Sequence, residues 1–199
     1  VDGDENPLGD RWSFDEENRK KIPAKTPIPE LPKFNLSEHH DAVSTIVEKH
    51  FLEHPGNTKN VWFPVTRSGA LELLDDFLIQ RLENFGAYED AMLKDQNFLF
   101  HSCISAMLNI GLITPDIVIE KVLDLFRKNK APLNSVEGFI RQILGWREFV
   151  RGIYQLRGTE QKKSNFWSHQ RKLSQSWYDG STGLLPLDDC IKSALKDGY

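Results

Sequence analysis

Cysteine is scarce in this chain of 199 residues: Cys103 and Cys190 stand far apart, and no C-x-x-C pair occurs. That excludes a disulfide framework and a zinc ribbon, and two thiols alone cannot hold an iron–sulfur cluster. No apolar run approaches the ~18 residues that a membrane-crossing helix needs. The opening stretch VDGDENPLGDRW lacks the basic and apolar regions of a secretory leader. A Gly-rich phosphate loop, an H-E-x-x-H pair and a G-x-S-x-G elbow are also missing, which removes the usual signatures of Rossmann and Walker nucleotide sites, zinc proteases and α/β-hydrolases. No window alternates apolar and polar residues for long enough to make a strand, and no repeat period is visible. These absences lead to the expectation of a soluble, cytoplasmic, all-α protein. Histidines at 39, 40, 50 and 54 lack a convincing cysteine or carboxylate beside them, so no metal site is predicted.

The net charge is −4, too small to attract nucleic acid or an anionic membrane to the molecule as a whole. Locally the charge is uneven. Residues 1–20 carry seven acidic and three basic side chains, whereas residues 141–172 carry eight basic and two acidic ones. Five of the ten prolines fall in residues 1–36, and KKIPAKTPIPELPKF cannot sustain a helix or a central strand, so this region reads as a connector. Residues 37–199 then read as a helical bundle. Apolar spacing predicts a helix after Ser37 that Pro55 and Gly56 stop, and another over 68–84 with Gly86 as its C-terminal signal. HSCISAMLNIG supplies a short helix ended by Gly111, and Thr114-Pro115 opens a helix to about residue 127. Asn134 and Glu137 form a capping-box-like start for a long helix to about residue 157, and Pro186 opens a final one that Gly198 ends. A helix ending one residue before the last, after a Pro-rich beginning, leads to the expectation of a piece of a longer polypeptide.

Three constellations stand out. Gly138, Gly145 and Gly152 recur every seven residues in EGFIRQILGWREFVRGIY, although each costs about 1 kcal/mol relative to alanine in a helix. A seven-residue step is nearly two turns, so the glycines draw a bare stripe that fits either a tightly packed neighbouring helix or a flat ligand. Beside it lie Arg141, Trp146, Arg147 and Arg151, whose guanidinium forks suit phosphate or carboxylate. In FHSCIS, Ser102 and Ser105 offer hydroxyls next to a helix start, an anion cradle or simply a cap. The basic segment is interleaved with Trp146, Tyr154, Phe166 and Trp167, residues that either stack on bases or fill a core.

The blocks RLENFGAYEDAM, FHSCISAMLNIGLITP, EGFIRQILGWREFVRGIY and WYDGSTGLLPLDDCIKSALKDGY, in this order, resemble successive signatures of the helical flavin domain of the photolyase/cryptochrome family. The match is best with its prokaryotic deoxyribodipyrimidine photolyase-related branch, which includes the bacterial (6-4) photolyases. WSFDEENRKKIP is similar to the segment that leaves the N-terminal antenna domain in that branch.

The resemblance implies FAD as cofactor, damaged DNA as partner and light-driven electron transfer to pyrimidine dimers. It implies cofactor contacts at Tyr88, His101, Ser102, Ser105, Gln142 and Arg147, and contacts with DNA or the lesion at Trp146 and Arg151. Ala106 departs from the family's proline, and a family glutamate just before the tryptophan has no counterpart. Pro186 and Tyr178 stand where iron–sulfur members carry a cysteine and a tryptophan, so no cluster is predicted. The same resemblance implies that an antenna domain before this chain and the remainder of the flavin domain after it are missing, and that the chain by itself is inactive. The alternatives are a cryptochrome-like photosensor, a helical nucleic-acid-binding module without flavin, and a scaffold whose glycines serve packing alone.

Overall fold

The computed structural model describes residues 2–59 and 61–198. Among them every regular element is helical: α1 (His40–His50), α2 (Arg67–Gln80), α3 (Leu82–Tyr88), α4 (Ser105–Asn109), α5 (Pro115–Arg127), α6 (Leu133–Ile140), α7 (Trp146–Lys163), α8 (Ser176–Asp179) and α9 (Leu185–Asp197). Short 3-10 turns occupy Leu8–Asp10 and Asp15–Asn18. The chain forms two compact units, residues 1–34 with 64–158 and residues 35–63 with 159–199.

The first unit is built around aromatic rings. Phe77 of α2 lies 4.6 Å from Phe139 of α6 and meets Phe85 of α3 edge-on at 6.0 Å, while Phe85 and Phe139 are 5.3 Å apart. Leu73, Leu74, Ile104, Met107, Val118 and Val122 are almost wholly buried around them. Gly86, expected to stop a helix, instead lies inside α3 and lets α6 come close. A Cβ there would sit 2.7 Å from the Ser135 backbone nitrogen, and the Gly86 N–H donates to Ser135 Oγ at 2.9 Å. Ser135 Oγ in turn donates to the Glu83 carbonyl at 3.1 Å. The helix predicted over 68–84 is divided at Arg81, whose backbone leaves the helical region. Its side chain is completely buried and forms an ion pair with Asp76 at 2.7 Å, and Nη2 donates to the Glu30 carbonyl at 2.9 Å. A buried guanidinium is tolerated when such partners meet it.

The Pro-rich beginning is tied to this unit. Phe14 and Asn18 are buried, the Lys20 N–H donates to the Ala87 carbonyl at 3.0 Å, and Asn134 Nδ2 donates to Asn18 Oδ1 at 3.4 Å. That last bond corrects the capping box. Helix α6 begins at Leu133 after Pro132, Asn134 points its amide to Asn18, and Glu137 pairs with Arg141.

Between α6 and α7 the backbone makes one π turn, Arg141–Gly145, with the Trp146 N–H bonded to the Arg141 carbonyl five residues back. The helical run therefore continues from Leu133 to Lys163 but contains a wider turn. The wide turn breaks the seven-residue geometry of the glycine stripe. A Cβ on Gly138 would lie 2.7 Å from Asn18 Nδ2, one on Gly145 would meet only Arg141 Cγ of its own helix at 3.5 Å, and one on Gly152 would meet nothing within 4 Å. Of these three glycines, only Gly138 is a site of close approach.

In the second unit, α1 starts at His40, whose N–H donates to the Ser37 carbonyl at 3.0 Å, so Ser37 lies a turn before the helix rather than capping it. The Gly56 N–H donates to the Leu195 carbonyl at 2.8 Å, and Gly56 and Gly198 approach closely backbone to backbone. Asp188 of α9 accepts from the Thr182 N–H at 2.8 Å, the Thr182 hydroxyl at 2.6 Å and the Gly183 N–H at 3.0 Å. These bonds, the Thr182 hydroxyl first, hold its carboxyl below the usual carboxylate range.

Candidate functional site

Five of the predicted cofactor residues line one cavity of the first unit. His101 and Ser102 come from the loop before α4, Ser105 from its first residue, Gln142 from the π turn and Arg147 from α7. The cavity measures about 240 Å³, and its apolar walls include Phe85, Phe139 and Ile143. Ser102 and Ser105 therefore lie on the same side of the bundle as Arg147. Tyr88 does not line it; its ring packs against Phe100 at 5.4 Å.

Local geometry explains how these side chains converge. Cys103 has φ of 57° and Leu99 has φ of 43°, so the loop between α3 and α4 turns sharply through left-handed conformations that non-glycine residues rarely adopt. Strain of this kind persists where the surrounding structure holds it. Helix α4 spans only Ser105–Asn109 and is preceded by Ile104, so Ser102 caps nothing and the cradle rests on side chains rather than on a helix end. The π turn brings Gln142 and Ile143 to the cavity wall. Arg147 Nη1 makes a long contact, 3.5 Å, with the Ile143 carbonyl, which leaves most of the guanidinium fork to the cavity.

The cavity also holds a carboxyl that residue patterns did not single out. Glu89 lines it and accepts from Asn18 Nδ2 at 3.2 Å. Partial burial pushes its pKa up, against the opposing effect of that hydrogen bond. His101 is exposed to solvent, yet its ring meets Phe85 edge-on at 5.9 Å, and desolvation by its neighbours lowers its pKa despite a hydrogen bond to the Glu89 backbone. Burial also pushes the Cys103 thiol up to about 11, which keeps it an unreactive thiol.

The two predicted DNA-facing residues lie outside the cavity on α7, a helix with no buried residue. Trp146 is 57% exposed and packs edge-on against Phe149, and Arg151 is exposed and pairs with Glu148 at 3.6 Å. Tyr154, Phe166 and Trp167 are exposed as well. Among the described residues no cluster of three or more His, Cys, Asp or Glu is arranged to hold a metal ion, and no helix is long and apolar enough to cross a membrane.

Comparison with known proteins gives the lineage. Residues 1–63 match the family model described as deoxyribodipyrimidine photo-lyase-related protein. Over 195 residues, 98% of the chain, it is 39% identical to the (6-4) photolyase of Agrobacterium fabrum. An uncharacterized protein of Acanthamoeba polyphaga mimivirus is 44% identical over 112 residues, which are 56% of this chain and 85% of that protein. The chain belongs to the photolyase-related family. It spans 38% of the length of the Agrobacterium photolyase. The fold agrees: a bacterial class III photolyase from Agrobacterium tumefaciens superposes with a TM-score of 0.56 at 24% identity, covering 67% of this chain and 28% of that one. This photolyase-related chain places two hydroxyls, an amide and a guanidinium around one cavity.

Proposed function

We propose that this chain is the connector, residues 1–36, and the first half of the helical FAD-binding domain, residues 37–199, of a cytoplasmic flavin-dependent photolyase-related protein. The observation that carries this reading is the convergence of Ser102 and Ser105 with Gln142 and Arg147, about forty residues away in sequence, on one cavity. Two hydroxyls, an amide and a guanidinium form a donor set that suits the diphosphate of a dinucleotide. The cavity, about 240 Å³, is smaller than the ~300–1,000 Å³ of whole-ligand pockets, so it takes part of FAD and other polypeptide takes the rest. His101 borders the same donors, and Tyr88 acts from behind through Phe100.

When bound and reduced, the flavin supplies the electron that light drives onto a pyrimidine dimer in DNA. The chain's own residues bind and orient: Ser102 and Ser105 donate hydrogen bonds to the anionic middle of the cofactor, Arg147 offsets its charge, and Phe85, Phe139 and Ile143 exclude water behind it. Exposed Trp146 and Arg151 serve damaged DNA, the indole by stacking and the guanidinium by meeting phosphate.

The test is the flavin content of the full-length gene product. Replacing Ser102 and Ser105 by alanine, or Arg147 by alanine, should strip FAD during purification while leaving the fold intact by circular dichroism. Undiminished flavin absorbance would sink the reading. Light-dependent repair of cyclobutane and (6-4) lesions then separates a repair enzyme from a photosensor, which would bind FAD and repair neither.

A further inference from the structure

Among the described residues Glu89 is the one acidic side chain in the wall of the cavity, and its position is built rather than incidental. Its Oε2 accepts from Asn18 Nδ2 at 3.2 Å, Asn18 is only 3% exposed, and Asn18 Oδ1 accepts from Asn134 Nδ2 at 3.4 Å. Gly138 makes room for the pair, since a Cβ there would fall 2.7 Å from Asn18 Nδ2 and 3.2 Å from Glu89 Oε2. Three segments of the chain, the 3-10 turn Asp15–Asn18, the end of α3 and the start of α6, thus meet to hold one carboxyl against the cavity. An ionised carboxylate only accepts, and it repels an anion. Beside a cradle for phosphate it suits the hydroxyl-bearing stretch next to that phosphate.

We propose that Glu89 is a ligand-binding residue that accepts a hydrogen bond from a sugar or polyol hydroxyl of the bound dinucleotide, and that Asn18 is its positioning residue. The inference rests on the flavin reading of the cavity and adds a contact to it. Asn18 occupies Oε2, its only side-chain hydrogen bond among the described residues, which leaves Oε1 for the ligand. The charged groups around Glu89 are Asp15 on the 3-10 turn, Asp90 next in the chain and Arg141 on the π turn, with His101 and Arg147 on the cavity wall. Burial raises the Glu89 pKa above the ordinary carboxylate value, and a protonated carboxyl has lost its charge-assisted acceptor. FAD affinity should therefore fall as pH drops through the raised Glu89 pKa.

The experiment measures FAD affinity of the full-length gene product by flavin fluorescence, from neutral to mildly acid pH, with apo-protein melting temperatures alongside. Glu89→Gln keeps the size of the side chain and an oxygen for Asn18 but removes the charge. It should weaken FAD binding about tenfold at neutral pH and flatten the pH dependence. His101 is present in both proteins, so the difference between the two curves belongs to Glu89. Asn18→Ala removes the bond that favours the carboxylate and should move the wild-type midpoint to higher pH. A Glu89→Gln curve that overlies the wild type, or an unmoved midpoint in Asn18→Ala, overturns the inference while FAD binding itself stands. Failure of the wild type to bind FAD at any pH would overturn the flavin reading first, and this contact with it.

Discussion

Phe77, Phe85 and Phe139 close the first unit around three touching rings, whereas the second unit directs its buried Asp188 to hydrogen bonds with Thr182 and Gly183. Every buried hydrophobic residue among those described, from Phe14 to Ile143, belongs to the first unit. In the second, Phe51, Leu52, Leu184 and Leu185 are exposed, and order comes from turns, caps and the backbone approach of Gly56 to Gly198. Burial of apolar area is the larger stabilising force, so the first unit should govern the stability of the chain. The same contrast runs along one helical run, where Phe139 is 2% exposed and Phe149 is 59% exposed.

Phe139→Ala is the hardest test of that contrast. It should cost about 3–5 kcal/mol in denaturant unfolding, against within ~0.5 kcal/mol for Phe149→Ala. Equal losses would break the distinction between the two halves of the run. Smaller effects are expected at the glycines. Gly86→Ala drives a methyl into the Ser135 backbone and Gly138→Ala drives one into the buried Asn18 amide, each costing about 1–3 kcal/mol. Gly152→Ala meets open space and should stabilise by up to about 1 kcal/mol, readable as a higher melting temperature. The smallest effect belongs to Asp188. Its folded-state pKa lies below 3.8, so its contribution is complete above that value and disappears as pH falls through the lowered one. Asp188→Asn should remove that acid sensitivity, seen as a flatter melting temperature below pH 4 without a change in flavin content.

How much was legible in residue patterns depended on how local the cause was. Pro115 opens α5 and Gly198, at φ 72°, closes α9, because proline and glycine act through their own backbone angles. Thr114 precedes α5 as expected, yet its hydroxyl bonds the Asp116 carboxylate and not a backbone N–H. Helix α8, four residues long, carried too little periodicity to be seen. Gly86 is ambiguous in the residue pattern because a glycine near the end of an apolar stripe looks the same whether it stops a helix or admits a neighbour. The neighbour, Ser135, lies 49 residues away. Five cavity residues were reachable through family resemblance, but Glu89 was not, since its partner Asn18 is 71 residues distant. The π turn left no compositional trace at all.

That wide turn also sets a counting rule for the lineage. A turn closed over five residues holds one amino acid more than a regular helix of equal length, so the run from Leu133 to Lys163 carries an extra step between the ring-packed Phe139 and the guanidinium of Arg147. A cousin whose helix is unbroken there should be one residue shorter between those two landmarks, and an alignment that refuses the gap will pair Arg147 with the wrong column.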